Sequence, residues 1–487
     1  MPRRENEAGI RLPSRRRFWQ LGAMNKDAGD ASPLRALPSV DAVLNTARAR
    51  ALAEQHGRAR VSGAVRAAVE SRRQAIRGGE AARPDAESLA EAAAELLAAD
   101  RPNLRRVVNA TGIVLHTGLG RAVLPGDTLA ALAEAVGNCN VQMDLETGER
   151  TRREAVVLDL FRRVTGAEDA AVVNNNAAAT LLVLAALSRG REAVVSRGEL
   201  IEIGGSFRLP DIMAESGALL REVGTTNKTH LRDYEKAIGP GTGLLLKVHP
   251  SNYRVEGFVA ETALREIAAL GRTRSVPVIF DLGSGNLVDL RKYGLEGEPT
   301  VQDGFRDGAD LVLFSTDKLI GGPQGGAVVG RTDLVTAVRK HPLYRAFRVD
   351  KLRLAALEHA LRLFLEPDKL EARHPTYFML ARKPDELRRT AEELRAGIAK
   401  RQPAWQATVV EEESKLGGGA LPTSPLPTFA VSLRAEGLSA DRLALALRRA
   451  DPPVIGRIRD DLVLLDVRTI LPGETEDVLR AIERLAP

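Results

Sequence analysis

In Phe314-Ser315-Thr316-Asp317-Lys318-Leu319-Ile320-Gly321-Gly322-Pro323 a lysine follows an apolar run, with two hydroxyls before it and glycines after it. A lysine held in a dry pocket loses proton affinity and can form a Schiff base with a carbonyl. Ser315 and Thr316 offer hydroxyls to a phosphate, and the glycines admit a close backbone approach. Taken alone, the motif also suits a structural turn. Asp281 ends a second apolar run, Val278-Ile279-Phe280. A carboxylate there can pair with a ring nitrogen and keep it protonated, or cap the turn that follows. A third run ends in Val173-Asn174-Asn175-Asn176-Ala177-Ala178-Ala179-Thr180, where three asparagines precede helix-forming alanines. The free N–H groups of a helix start at Asn175, Asn176 and Ala177 would make a phosphate cup; an ordinary asparagine N-cap is the alternative.

The three features come in the order cup, aspartate, lysine, each at the end of an expected strand. The joint pattern is more specific than any part of it. It points to pyridoxal phosphate (PLP) held as a Schiff base on Lys318, with Asp281 on its ring nitrogen. The phosphate would lie on Asn175, Asn176, Ala177, Ser315 and Thr316.

The elements that must position these residues are legible as short apolar strands alternating with helical stretches. Strands are expected at Ala170–Val173, Ala193–Ser196, Ala218–Val223, Leu244–Val248, Val278–Asp281 and Leu311–Phe314. Helices are expected at Ala177–Leu187, Glu261–Leu270 and Asp350–Leu365. Such alternation predicts an α/β domain around a mostly parallel sheet, over residues 107–366, with ligands at the carboxyl ends of the strands. Residues 367–487 read as a smaller α+β domain, with two further helices and short strands near Gly417-Gly418-Gly419 and Pro422–Pro427. Before the α/β region the chain is rich in Ala, Leu, Arg and Glu. Ser39–Gln55 and Ala64–Ile76 read as helices of a small domain over 25–83, and Ala86–Ala99 as the helix of a linker over 84–106.

Composition narrows the class. The chain has 487 residues, 44% hydrophobic and 28% charged, as a globular protein of several domains does. No run of about 18 apolar residues is present, so no membrane association is expected. One cysteine, Cys139, and seven scattered histidines argue against a disulfide and against a metal-dependent mechanism. Residues 1–106 carry 20 basic and 13 acidic side chains, a net +7, against +6 for the whole chain. That bias suits a polyanion such as RNA, or else a solvated arginine-rich surface. Ser14-Arg15-Arg16-Arg17-Phe18-Trp19 looks like a twin-arginine export signal, but no apolar segment follows it. Export is therefore rejected in favour of a cytoplasmic protein. Residues 1–24 are expected to be a disordered tail or a mis-assigned start, with Met24 as an alternative initiator.

The wording of several stretches goes further. Arg105–Arg121, Asp144–Arg153, Arg197–Pro210, His249–Phe258, Phe280–Asn286, Ser315–Gly326 and His341–Leu352 resemble bacterial selenocysteine synthase, the L-seryl-tRNA(Sec) selenium transferases, a family of fold-type-I PLP enzymes. Leu37-Pro38-Ser39-Val40-Asp41 also resembles that family's N-terminal domain, so the likeness covers nearly the whole chain. Gly118, Pro250 and Cys139–Met143 depart from the family's usual wording, which bears on fine details of the pocket.

The resemblance implies that seryl-tRNA(Sec) becomes selenocysteinyl-tRNA(Sec), with selenophosphate as donor and a PLP-bound aminoacrylate as intermediate. It implies that Lys318 moves the Cα proton with Asp317 tuning it, that Arg121, Arg345 and Arg348 bind selenophosphate, and that residues 25–83 bind tRNA. It also implies a homo-oligomer, a decamer built as a pentamer of dimers. A PLP lyase acting on a small molecule would have no use for a basic helical domain. A non-catalytic RNA-binding protein would not need the intact cofactor trio.

Overall fold

The computed structural model describes residues 33–79, 84–100, 102–205 and 207–485. The expected tail at 1–24, and parts of the expected 25–83 domain, lie outside the described residues. The chain divides into two units, residues 1–105 and 106–487.

In the first unit side-chain caps set where helices begin. Ser39 Oγ accepts from Ala42 N at 3.1 Å and opens α1 (Val40–Leu44). Thr46 Oγ1 accepts from Ala49 N at 3.1 Å and opens α2 (Ala47–His56), so the single helix expected over 39–55 is two. Gly57, at φ +82°, separates α2 from α3 (Arg58–Arg77). Asp85 caps α4 (Ala86–Ala99) through Ser88 N at 2.7 Å. Leu89, Ala93 and Leu97 of α4 are buried in one core with Val43, Leu52, Val61, Val65 and Val69. The helix expected as a linker is thus a full member of the bundle. Its segment, 84–100, carries five acidic and no basic residues, whereas 33–79 carries nine basic and three acidic. Arg48–Glu91 at 2.9 Å and Arg60–Asp100 at 2.7 Å join the two sets.

The second unit is built on a seven-stranded sheet. Its strands are β3 (Asp169–Val173), β4 (Glu192–Ser196), β5 (Leu219–Val223), β6 (Thr242–Val248), β7 (Val278–Gly283), β8 (Leu311–Ser315) and β9 (Gly326–Gly330), numbered after two short strands, β1 (Val108–Asn109) and β2 (Ile113–Leu115). The spatial order is β3-β9-β8-β7-β6-β4-β5. All neighbours run parallel except β9, which is antiparallel to β3 and β8. Both faces of the inner strands are covered, so these are mainly runs of Val, Leu, Ile and Ala without polar alternation, whereas the edge strand β5 is exposed over Leu219–Glu222. Among the helices of this part are α5 (Ala155–Thr165), α6 (Asn176–Ser188), α7 (Thr332–Lys340), α8 (Pro342–Ala346) and α9 (Lys351–Leu363). Further on, α10 (Pro375–Ala381) and α11 (Pro384–Arg401) lead into a second sheet.

That second sheet rests on a long hairpin, β10 (Trp405–Gly417) and β11 (Ala420–Ala435), followed by β12 (Val454–Ile455), β13 (Arg457–Arg459) and β14 (Leu462–Asp466). The sequence suggested only short strands here. Pro422, Pro425 and Pro427 stand in β11, but β14 pairs only with Ala430–Leu433, so the prolines face no ladder on that side. The order is β13-β14-β11-β10-β2, and β1 pairs with β12. Residues 108–115, expected in the catalytic domain, therefore complete the C-terminal sheets.

Candidate active site

Strand β8 ends at Ser315 and delivers Thr316, Asp317 and Lys318 into a tightly bonded loop. Thr316 N donates to Gly325 O, Gly322 N to Thr316 O (both 2.9 Å), Gly321 N to Lys318 O at 3.0 Å, and Leu319 N to Ser284 O at 3.2 Å. Two buried side chains grip the same loop from beyond α9. Tyr377 OH donates to Leu319 O at 3.2 Å, and His374 Nε2 lies 3.0 Å from Ile320 O. A carbonyl only accepts, so the imidazole proton sits on Nε2. Burial holds His374 at a pKa of about 4, so the ring is neutral. Gly321 has φ +67°, and a Cβ there would lie 2.1 Å from His374 Nε2, so only glycine fits.

Lys318 is 4% exposed, and its Nζ makes no hydrogen bond or ion pair among the described residues. Burial, and next the Arg121 charge, lower its proton affinity; Asp317, Asp281 and Glu298 oppose them. Asp281, near the end of the neighbouring strand β7, is buried with both oxygens held. Asn176 Nδ2 donates to Oδ1 at 2.8 Å and Thr180 Oγ1 to Oδ2 at 2.9 Å. Burial raises its carboxyl pKa, against these two bonds and the charge of Lys318.

The asparagines divide their work. Asn175 Oδ1 accepts from Ala178 N at 2.8 Å, the ordinary N-cap of α6. The Asn176 amide serves Asp281. What remains of the expected cup is the pair of backbone N–H groups at Asn176 and Ala177, which have no partner among the described residues. Gly326 closes on them from β9: a Cβ there would lie 2.2 Å from Asn175 O. The Thr316 hydroxyl is spent on Pro323 O at 2.6 Å, while the Ser315 hydroxyl has no partner among the described residues. A buried free amine, a buried carboxylate and unpartnered N–H groups at a helix start together fit an aldehyde, a ring nitrogen and a phosphate, the three polar ends of PLP.

The three arginines are not brought together. Arg121, at φ +65°, holds Asp317 through Nη1 at 3.0 and 3.2 Å, beside Lys318. Arg345 on α8 and Arg348 just after it are exposed and have no ion pair among the described residues. Arg348 bridges Val173 at the end of β3, and Asn174 N donates to Phe347 O at 3.0 Å, so this segment is tied to the cup. Both line a cavity of about 500 Å³ with Arg150, Arg152, Arg153, Arg339 and Lys340, against the single carboxylate Glu154. Arg150, Arg152 and Arg153 were not singled out from the sequence, although their close spacing was a signal of a basic cluster.

A second cavity, of about 480 Å³, is lined by His249, Ser251, Tyr253, Glu199 and Glu298. A Cβ placed on Gly283 would lie 3.9 Å from Ser251 Oγ and 4.0 Å from Lys318 Nζ, so this cavity adjoins the lysine. Glu298 Oε2 lies 3.3 Å from His249 Nε2, and its Oε1 is buried without a partner among the described residues. Among the described residues no helix is long and apolar enough to cross a membrane. Among them, no group of three or more His, Cys, Asp or Glu could hold a metal ion.

A family model described as L-seryl-tRNA selenium transferase matches residues 107–471, and one described as selenocysteine synthase N terminal matches residues 34–73. The L-seryl-tRNA(Sec) selenium transferase of Moorella thermoacetica is 50% identical over 452 residues, 92% of this chain and 96% of that protein. The protein of the same name from Solidesulfovibrio magneticus is 49% identical over 454 residues, 90% of this chain and 95% of that one. Among solved structures, D-glucosaminate-6-phosphate ammonia-lyase superposes with a TM-score of 0.53 at 20% identity, over 78% of this chain and 95% of that one; the likeness is one of fold.

Proposed function

The chain belongs to the L-seryl-tRNA selenium transferase family, and from that premise we propose that it converts seryl-tRNA(Sec) to selenocysteinyl-tRNA(Sec), with selenophosphate as donor and PLP carried on Lys318. The observation that carries the reading is the buried Lys318 amine, without a partner among the described residues, set beside the buried Asp281 carboxyl in a chain matched to the family over nearly its whole length. When bound, PLP supplies a carbonyl that condenses with amines and a ring that takes up the electron pair released at the seryl Cα.

The residues divide the remaining work. Lys318 Nζ would hold the cofactor and, as a free amine, would take the proton from the seryl Cα; its lowered proton affinity keeps that amine available as a base. Asp281 would keep the ring nitrogen of bound PLP protonated, and Asn176 and Thr180 fix its carboxylate by donating to it. The Ser315 hydroxyl and the N–H groups of Asn176 and Ala177 take the phosphate, while Asn175 and Thr316 support the backbone around it. Asp317, bonded to Arg121, tunes the charge next to the lysine. Arg345 and Arg348 receive selenophosphate together with Arg121, which has to reach the donor from its bond with Asp317.

The N-terminal bundle is the tRNA grip. Arg50, Arg58, Arg66 and Arg77 stand exposed on α2 and α3 without an ion pair among the described residues. A tRNA substrate places the enzyme in the cytoplasm, and the active form is a homo-oligomer. The test is turnover of seryl-tRNA(Sec) with selenophosphate by the purified protein, with ordinary seryl-tRNA as control. Selenocysteinyl-tRNA from the first and none from the second is expected; no product from either overturns the reading.

A further inference from the structure

The loop that carries Lys318 is held from outside its own sheet. Leu319 O accepts from Tyr377 OH at 3.2 Å and Ile320 O from His374 Nε2 at 3.0 Å. Both donors are 0% exposed. Their rings pack edge to face at 4.8 Å between centroids, and Phe364 stands edge-on to both at 5.7 and 5.8 Å. Helix α10, which carries Tyr377, is in turn pinned to the C-terminal sheet: the buried Arg468 guanidinium donates to Met379 O at 2.7 Å and to Pro427 O at 2.6 Å. A continuous set of hydrogen bonds therefore runs from the C-terminal sheet through α10 to the two residues that follow the lysine.

We infer that His374 and Tyr377 are positioning residues for Lys318, fixing the direction of its amine by holding the next two carbonyls. Neither touches the amine. A side chain anchored on a swinging loop would sample several directions, and the proton transfer asked of Nζ needs one. The inference rests on the PLP reading above and deepens it.

Tyr377→Phe removes one hydroxyl and keeps the ring packing, so it folds. His374→Phe removes the other donor, and His374→Gln restores an N–H near the Nε2 position. The charges that bear on Lys318, those of Arg121, Asp317, Asp281 and Glu298, are untouched by any of these changes. Each lost hydrogen bond is expected to lower kcat about five- to tenfold with KM for seryl-tRNA unchanged. The readout independent of turnover is the pH midpoint of the visible absorbance of the Lys318-bound cofactor. It should shift in Tyr377→Phe and His374→Phe and return toward wild type in His374→Gln. A wild-type midpoint and kcat in Tyr377→Phe overturns the inference even if His374→Phe does not fold. Absence of any visible band in the wild-type protein would instead sink the PLP assignment itself.

Discussion

Replacing Asp281 by Asn separates what the fold needs from what the chemistry needs. The carboxyl is 7% exposed, and burial raises its pKa. Its folded pKa thus stands above its unfolded one, so the cofactor-free protein loses stability as pH rises from the unfolded value through the folded one. Each unit of that shift is about 1.4 kcal/mol. Asn removes the buried charge, and its amide is accommodated. Asn176 Oδ1 is buried without a partner among the described residues, so a flip of the Asn176 amide presents an acceptor where it now presents a donor. Thr180 still donates to the remaining oxygen.

The apo Asp281→Asn protein should therefore melt at or above wild type at pH 8, by about 2 °C for each kcal/mol removed. The gap should narrow as pH falls through the raised folded-state pKa and the wild-type carboxyl takes up its proton. Cofactor affinity should move the other way. Loss of one charge-assisted bond costs about 1.5–3 kcal/mol, roughly a ten- to hundredfold weaker PLP dissociation constant. Calorimetry of the apo proteins across pH, beside a PLP titration, measures both. An apo variant less stable than wild type at pH 8 with unchanged PLP affinity would falsify the assignment of Asp281.

Lys318→Ala should fold and still take up some PLP, but borohydride should no longer attach it to the chain; an unchanged reducible linkage would remove Lys318 from its role. Arg345→Ala and Arg348→Ala should each raise the selenophosphate needed for half-maximal rate about tenfold or more with PLP content unchanged, and unaltered donor dependence in both would sink the proposal. Deleting residues 1–105, the whole bundle rather than a cut at 83 that would strand α4, should leave PLP bound and abolish tight, salt-sensitive tRNA binding; undiminished affinity would make the basic helices a mere solvated surface. Gly321→Ala should misplace the lysine loop, since its Cβ would collide with a buried imidazole, and a variant with wild-type spectrum and melting point would contradict that geometry.

The strands that lead into Asn176 and Lys318, and the one that carries Asp281, were legible because each is a short apolar run buried on both faces and stopped by polar residues. Strand β9 was not: it returns from β8 without a helix, and its Gly-Ala-Val-Val-Gly wording carries no periodicity. The split of roles between Asn175 and Asn176 was hidden too, because Asn176 is spent on a carboxylate 105 residues away. Likewise nothing local marks His374 and Tyr377, whose partners are backbone carbonyls of a distant loop. The bundle was misjudged at α4 because its acidic surface hides the apolar face of Leu89, Ala93 and Leu97.

The pairing of β1 with β12, Val108 against Val454, bears on how the protein is made. Ribosomes deliver the chain from its amino end, yet the first strands of this unit find their partners only near its carboxyl end. Val108–Leu115 must wait through most of translation with its backbone unpaired, a long contact that is slow to form. Until the last strands emerge, those residues are an exposed edge open to chaperones or to wrong partners. Nascent chains halted before β12 should accordingly be protease-sensitive at this segment, and completion of the chain should protect it.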